Sequence, residues 1–456
     1  MALQSAFELE QFMGIEGMAQ SEDCLTLNVW TPACDGAKRP TMVWIHGGAF
    51  FSGAGSIPWY NGGGLARRGD VVVVTINYRL GALGFLQLEH LLGEDFAGSG
   101  NLGLLDQIAA LEWVRDNIEA FGGHPGQVTV FGESAGGMSV GALLGAPAAQ
   151  GLFHRAIAQS GACQAVSEVG HAEVVTAGVL DHLGLHASSA DDILGVPAEA
   201  LHEAQNHVVE SMFEESIENA RRGNLGMPFQ PVHDGHVLPD HPLDAVRAGS
   251  AAAVPLLTGT TRHEMRLFTI LSPRMTAADE AGLVDLCEIV FEDQGTGAGK
   301  EAYEAYKSRR PGLEPLGVFN DLLTDYVFRI PAIRLAEAQL VHQPQTHMYR
   351  FSWPANAFGL DLGAFHGVDI LFSFDNVRMP GTEMMWSDRV EGARRLGALT
   401  SEAWLAFART GDPNHPDLPD WPAYDPDRRA TMELDAECAI LDDPDSEDRA
   451  LWEGVR

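Results

Sequence analysis

Hydrophobic and polar positions alternate along this chain with two different periods. Residues 22–30, reading Glu-Asp-Cys-Leu-Thr-Leu-Asn-Val-Trp, alternate with period two, as a half-buried antiparallel strand does. Residues 41–45 and 71–78 are denser apolar runs, long enough to be strands buried on both faces. Between 104 and 121 the rhythm changes: apolar residues recur at 104, 105, 108, 111, 114, 118 and 121, which predicts an amphipathic helix closed by Gly122, Gly123 and Pro125. A strand at 128–131 and a small-residue helix at 138–146 follow. Residues 154–159 and 254–259 read as further core strands, 348–353 as a weaker one and 398–409 as a late helix; residues 1–20 carry little pattern.

Strands alternating with helices predict an α/β fold, with a mostly parallel, twisted central sheet and helices on both faces. Two longer helical, acidic stretches, roughly 165–245 and 270–345, interrupt the alternation. They contain no repeat, and no linker divides the chain, so residues 1–456 are expected to form one domain whose insertions sit over the strand ends as a lid and substrate pocket.

Composition narrows the function. Acidic residues outnumber basic ones 63 to 29, a net charge of −34, which repels phosphate backbones and argues against nucleic-acid and anionic-membrane partners. Solubility or salt tolerance is the plain reading of that charge. The five cysteines are scattered, without metal-ligand spacing, and read as mostly free thiols in a reducing compartment. Residues 1–18 lack the basic start and apolar centre of a signal peptide, and no apolar run approaches a membrane span, so a cytoplasmic monomer or small homo-oligomer is expected.

The candidate chemistry lies where strand 128–131 meets the helix, in Gly132-Glu133-Ser134-Ala135-Gly136. Strand, sharp turn and helix with a serine at the apex form a nucleophile elbow. Bare neighbours tolerate the tight turn, and the Ala135 N–H stands at a helix start where an oxyanion could form. His46-Gly47-Gly48 ends an earlier strand with two residues whose backbone N–H groups can approach a substrate oxygen; His46 itself reads as an anchor for that loop. A serine needs a base, and the base an acid, in the chain order serine, acid, histidine. Of 17 histidines, His366 stands out in a loop beside Gly367 between apolar segments. For the acid, Glu264 follows strand 254–259 through a short turn, with Asp234 and Asp369 as competitors of turn or surface character.

These residues give the chain a resemblance to the type B carboxylesterases, which include bacterial p-nitrobenzyl esterases, mammalian carboxylesterases and cholinesterases. The resemblance rests on residues 22–30 and 131–137, on the helix 101–123, on 151–161 and on 407–414 with Trp421-Pro422, so it runs through nearly the whole chain. It implies the α/β-hydrolase fold, Ser134 as nucleophile, Glu264 as acid, His366 as base, and Gly47, Gly48 and Ala135 as the oxyanion hole. Glu133 and Ser160 would support these residues from beside them, and no metal or organic cofactor would be needed. The chain departs from the family pattern at His263 and Met265, where aspartate and glycine are more usual. It also begins just before the Glu-Asp-Cys signature, which implies a shortened front, a more open site and a less covered sheet edge. Cys24 would then lack its usual disulfide partner, and Glu22 an upstream arginine. No tryptophan precedes Trp30, which speaks against cholinesterase activity. The implied function is hydrolysis of short- to medium-chain carboxylic esters through an acyl-enzyme. The alternatives are amide, thioester or lactone hydrolysis on the same residues, or a non-catalytic scaffold of the same fold.

Overall fold

A computed structural model describes residues 1–5, 8–214 and 227–455; part of the first insertion, 215–226, lies outside the described residues. Nine strands form the main sheet: β1 (Leu27–Trp30), β2 (Arg39–Ile45), β3 (Val72–Ile76), β4 (Gly123–Glu133), β5 (Arg155–Gln159), β6 (Leu256–Thr261), β7 (Thr346–Phe351), β8 (Thr431–Leu434) and β9 (Ala439–Leu441). Their order is β1-β3-β2-β4-β5-β6-β7-β8-β9. The pairs from β3 through β8 are parallel, and only the outer strands β1 and β9 run antiparallel to their neighbours. The sheet is therefore mostly parallel, as the α/β-hydrolase fold requires.

Alternation along each strand divides the core in two. On β2, Val43 and Ile45 point to one face and Met42 and Trp44 to the other, because successive side chains project to opposite sides. Val43 sits level with Val74 of β3 and Val130 of β4, which builds a valine layer. Helices α1 (Leu102–Asn117) and α2 (Ala135–Gly145) cover this face with Leu104, Ile108, Leu111, Val140 and Leu143. The opposite face is aromatic. Trp44 packs against Tyr60, Phe131 and Phe374 with ring centroids 4.9–5.0 Å apart, and helix α3 (Val390–Thr410) lays Trp404 and Leu405 over it.

Several boundaries differ from the sequence reading. The period-two pattern at 22–30 yields only Leu27–Trp30 as strand, and Leu25 is exposed, because pairing to β3 starts at Leu27. β4 begins at Gly123, so Gly123 and Pro125, expected to close the helix, are already part of the strand. β8, with Thr431 and Glu433 among its four residues, and β9, with only three residues, are too short for an apolar run to mark them. Residues 8–12 form a short helix in the stretch without pattern. Helices occupy much of both insertions, among them Val169–His182, Ala198–Glu214, Glu280–Val290 and Ile330–Leu340. No described helix is long and apolar enough to cross a membrane.

Trp44 has no exposed surface and touches three other rings. Trp44→Ala is expected to cost about 3–5 kcal/mol through lost contacts and the cavity left behind. It should read as a lower chemical-denaturation midpoint; an unchanged midpoint would contradict this packing.

Candidate active site

Parallel strands place their C-terminal ends on one side of the sheet, and the site residues stand there. β4 ends at Glu133, and Ser134 turns the chain directly into α2. Its backbone, φ 56° and ψ −126°, lies where a non-glycine residue costs about 1–3 kcal/mol. The turn is possible because its neighbour is bare: a Cβ on Gly136 would stand 2.0 Å from the Ile45 carbonyl oxygen. Ala135 opens α2, whose first-turn N–H groups have no partner within the helix.

The loop after β2 closes on this turn. A Cβ on Gly47 would lie 2.8 Å from the Glu133 carbonyl oxygen and 3.0 Å from Ser134 Cβ, so only glycine allows the approach. The loop is strained and pinned. Ala49 and Phe50 have positive φ, and Phe50 is buried. His46 stacks on Tyr78 at 4.5 Å, and the Tyr78 hydroxyl donates to the His46 carbonyl. Burial pushes the His46 pKa down to about 4, so the ring is neutral and its Nδ1–H donates to the Gly47 carbonyl at 2.8 Å. His46 thus holds the loop.

Residues near the N-terminus brace the loop from outside. The Gln4 side chain accepts from the Gly53 N–H and donates to the Gly53 carbonyl. The Ser52 hydroxyl lies 2.7 Å from Glu10 Oε1 and 3.2 Å from the Gly48 carbonyl.

Glu264 follows β6 by three residues and is fully buried. Ser160, in a left-handed conformation at the end of β5, donates its hydroxyl to Glu264 Oε1 at 2.7 Å, and the Thr261 N–H donates to the same oxygen at 2.7 Å. The other oxygen, Oε2, bonds His366 Nδ1 at 2.6 Å. Three donors therefore fix the carboxylate in one orientation. His366, 2% exposed, is flanked by the rings of Phe268 and Phe328 at 5.0 and 4.8 Å. Its Nε2 lies 3.2 Å from Glu133 Oε1, but the two are not aligned for a hydrogen bond, and each is a buried atom without such a partner.

The competing carboxylates stand elsewhere. Asp234 caps a turn, taking the N–H groups of His236, Val237 and Leu238. Asp369, read from sequence as a turn or surface residue, is instead buried three residues after His366. Its Oδ2 accepts from the Gln159 side-chain amide and from the Tyr349 hydroxyl, both at 3.0 Å, while the Trp404 indole N–H donates to Gln159 Oε1. Asp369, Gln159, Tyr349 and the two phenylalanines were missed in the sequence; the i, i+3 spacing from His366 was the one available signal for Asp369.

Burial of so many acids around one imidazole sets the electrostatics. Desolvation alone would lower the His366 pKa, but the charges of Glu133 and Glu264, the bond to Glu264 and the charge of Asp369 outweigh it and raise it. Glu133 is raised as well, by burial and by the neighbouring carboxylates Asp369, Glu264 and Glu10, against the pull of His366. Burial and Glu264 push Asp369 up to about 6. His366 and Glu133 together hold a proton to higher pH than an isolated histidine would. Among the described residues no group of three or more His, Cys, Asp or Glu could hold a metal ion, and none of the five cysteines is paired.

A serine on a strained turn, a carboxylate-held histidine and backbone donors on an adjoining loop are the parts of an acyl-transfer site. The model of the carboxylesterase family matches residues 2–452.

The chain belongs to the carboxylesterase family.

It is 41% identical to the para-nitrobenzyl esterase of Bacillus subtilis over 437 residues, 94% of this chain and 82% of that protein. It is 35% identical to the phenmedipham hydrolase of Pseudarthrobacter oxydans, over 90% of this chain and 78% of that one. A crystal structure of a Geobacillus stearothermophilus carboxylesterase superposes with a TM-score of 0.85 at 40% identity, covering 95% of this chain and 86% of the other. As a member of this family the protein is a carboxylic-ester hydrolase.

Removing the Glu133 charge should lower the His366 pKa. In Glu133→Gln, NMR of the imidazole should show protonation at lower pH than in the unaltered protein, whose ring should titrate above the ordinary 6.5. Unchanged titration would mean that Glu133 does not act on His366.

Proposed function

We propose that this carboxylesterase hydrolyses short- to medium-chain carboxylic esters, p-nitrobenzyl esters among them, through an acyl-enzyme on Ser134. The observation that carries this reading is the 2.6 Å bond from Glu264 to His366 Nδ1, with Nε2 buried and free of any other hydrogen bond. With Nδ1–H donated to Glu264, Nε2 presents its lone pair and acts as the base.

Ser134 Oγ attacks the ester carbonyl carbon as His366 Nε2 takes its proton. The carbonyl oxygen becomes an oxyanion, held by the N–H groups of Gly47, Gly48 and Ala135. Loss of one such donor typically costs 10²–10³ in rate, about 2.7–4 kcal/mol. The imidazolium, paired with Glu264, returns the proton to the departing alkoxide, which leaves as the alcohol. Water then attacks the acyl-enzyme, again giving its proton to Nε2, and the carboxylic acid departs as Ser134 regains its own. Ser160 and Thr261 keep Glu264 aligned, and Glu133 tunes the imidazole from the Nε2 side.

The relatives named for ester hydrolysis support this reading over amide, thioester or lactone chemistry. The insertions at 165–245 and 270–345 would form the lid and the acyl and alcohol pockets of a single domain. The acidic surface suits a cytoplasmic monomer or small homo-oligomer without nucleic-acid partners.

Ser134→Ala should abolish turnover of a p-nitrophenyl ester, a loss on the order of 10⁶ where a nucleophilic serine is removed, while circular dichroism stays unchanged. A variant keeping a tenth of the rate would end the assignment. Across p-nitrophenyl esters of rising acyl length, kcat/KM should peak at short to medium chains; a maximum at long acyl chains would overturn that part of the reading.

A further inference from the structure

Against the turn that carries Glu264 lies a polar cavity of about 760 Å³, lined there by Thr261, Arg262 and His263. Six arginines and five carboxylates line it, an inversion of charge in a chain whose acids outnumber its bases 63 to 29. The wall carboxylates have guanidinium partners. Asp321 meets Arg310 at 2.5 Å, Asp325 meets Arg329 at 2.5 Å and Asp445 meets Arg350 at 2.7 Å. Asp448 bonds Arg310 at 2.6 Å and also meets Arg309, while Glu447 stands 3.8 Å from Arg309.

Two arginines are left over. Arg262 and Arg266 are four residues apart, on either side of Glu264; their backbone N–H groups donate to the Phe351 and His263 carbonyls, but neither guanidinium has a hydrogen-bond or salt-bridge partner among the described residues. Arg262 is exposed, whereas Arg266 is partly buried, and burial lowers its pKa. The charges of Asp321 and Asp361 act on Arg266 without forming a salt bridge, and a partly desolvated guanidinium with no such partner is a state that a bound anion improves.

His263 lies between them and registers their field. Burial, then the charges of Arg266, Arg262 and Arg350, push its pKa down to about 3. The ring is therefore neutral, and its Nδ1 accepts the Ala364 N–H at 3.1 Å, so its remaining N–H is a further donor. A Cβ on Gly363 would meet His263 Nδ1 at 2.5 Å and Arg266 Nη1 at 2.9 Å, which places imidazole and guanidinium side by side.

We propose that this cavity is a binding site for a tetrahedral dianion of the phosphate class, held by Arg262 and Arg266 with His263 as a neutral donor. Two unpaired cations match two negative charges, and planar guanidinium forks match oxyanion geometry. The cavity has room for a phosphorylated small molecule. The site is separate from the ester-hydrolysing residues and does not rest on their assignment.

Calorimetric titration of the full chain with inorganic phosphate, at constant ionic strength in sodium chloride, tests this directly. A saturable 1:1 heat is expected, with acetate binding more weakly as a monoanion. Arg262→Ala, an exposed position that should leave the fold intact, and Arg266→Ala should each weaken phosphate binding about 10–100-fold, the effect of one lost charge-assisted contact. Absence of saturable heat, or equal binding by the unaltered protein and Arg262→Ala, would overturn the proposal.

Discussion

A carboxylate and an imidazole meeting inside a protein, with almost no water around either, place demands on everything near them. Glu264 and His366 are 0% and 2% exposed, and burying ionisable groups to that degree is costly unless every lone pair and proton has its place. Ser160 and Thr261 take one oxygen of Glu264 and His366 takes the other, while Phe268 and Phe328 close around the ring. These partners come from the ends of β5 and β6, from the loop of His366 and from the helical segments Met265–Ile270 and Asp325–Arg329. The register of the parallel sheet is therefore what brings the two groups together: Gln159 level with Gly259, and Gly259 level with Tyr349, set Ser160, the 260–264 turn and the Asp369 network side by side.

The environment is acidic as well as dry. Glu133, Glu264 and Asp369 surround a single imidazole, and Glu10 adds its charge from the N-terminal stretch. Such an arrangement favours the imidazolium, the form that the proposed mechanism gives the histidine while it holds the serine's proton. The same acids keep the ring charged at rest to higher pH, so stabilising the intermediate and keeping the base available oppose each other.

How much of this was legible in the sequence follows from the kind of force involved. The elbow could be read because steric exclusion leaves glycines at fixed spacing around Ser134, and the inner strands because burial on both faces demands apolar runs such as 71–76. β8 and the edge strand β9 escaped because strands of four and three residues are too short to make such a run. Asp369 was mistaken for a surface residue because its burial depends on Tyr349 and Gln159, partners brought near only by strand pairing. The same holds for the cavity lined by Arg262 and Arg266: arginines dispersed between positions 262 and 350 carry no linear signature.

Gln4 and Glu10 illustrate how far influence can travel from the chemistry. Gln4 reaches 49 residues and Glu10 reaches 42 residues along the chain to the loop after β2, one through Gly53 and the other through Ser52 and the Gly48 carbonyl. These two side chains are a splint on the loop beside the serine, so a substitution at either is also engineering of the site.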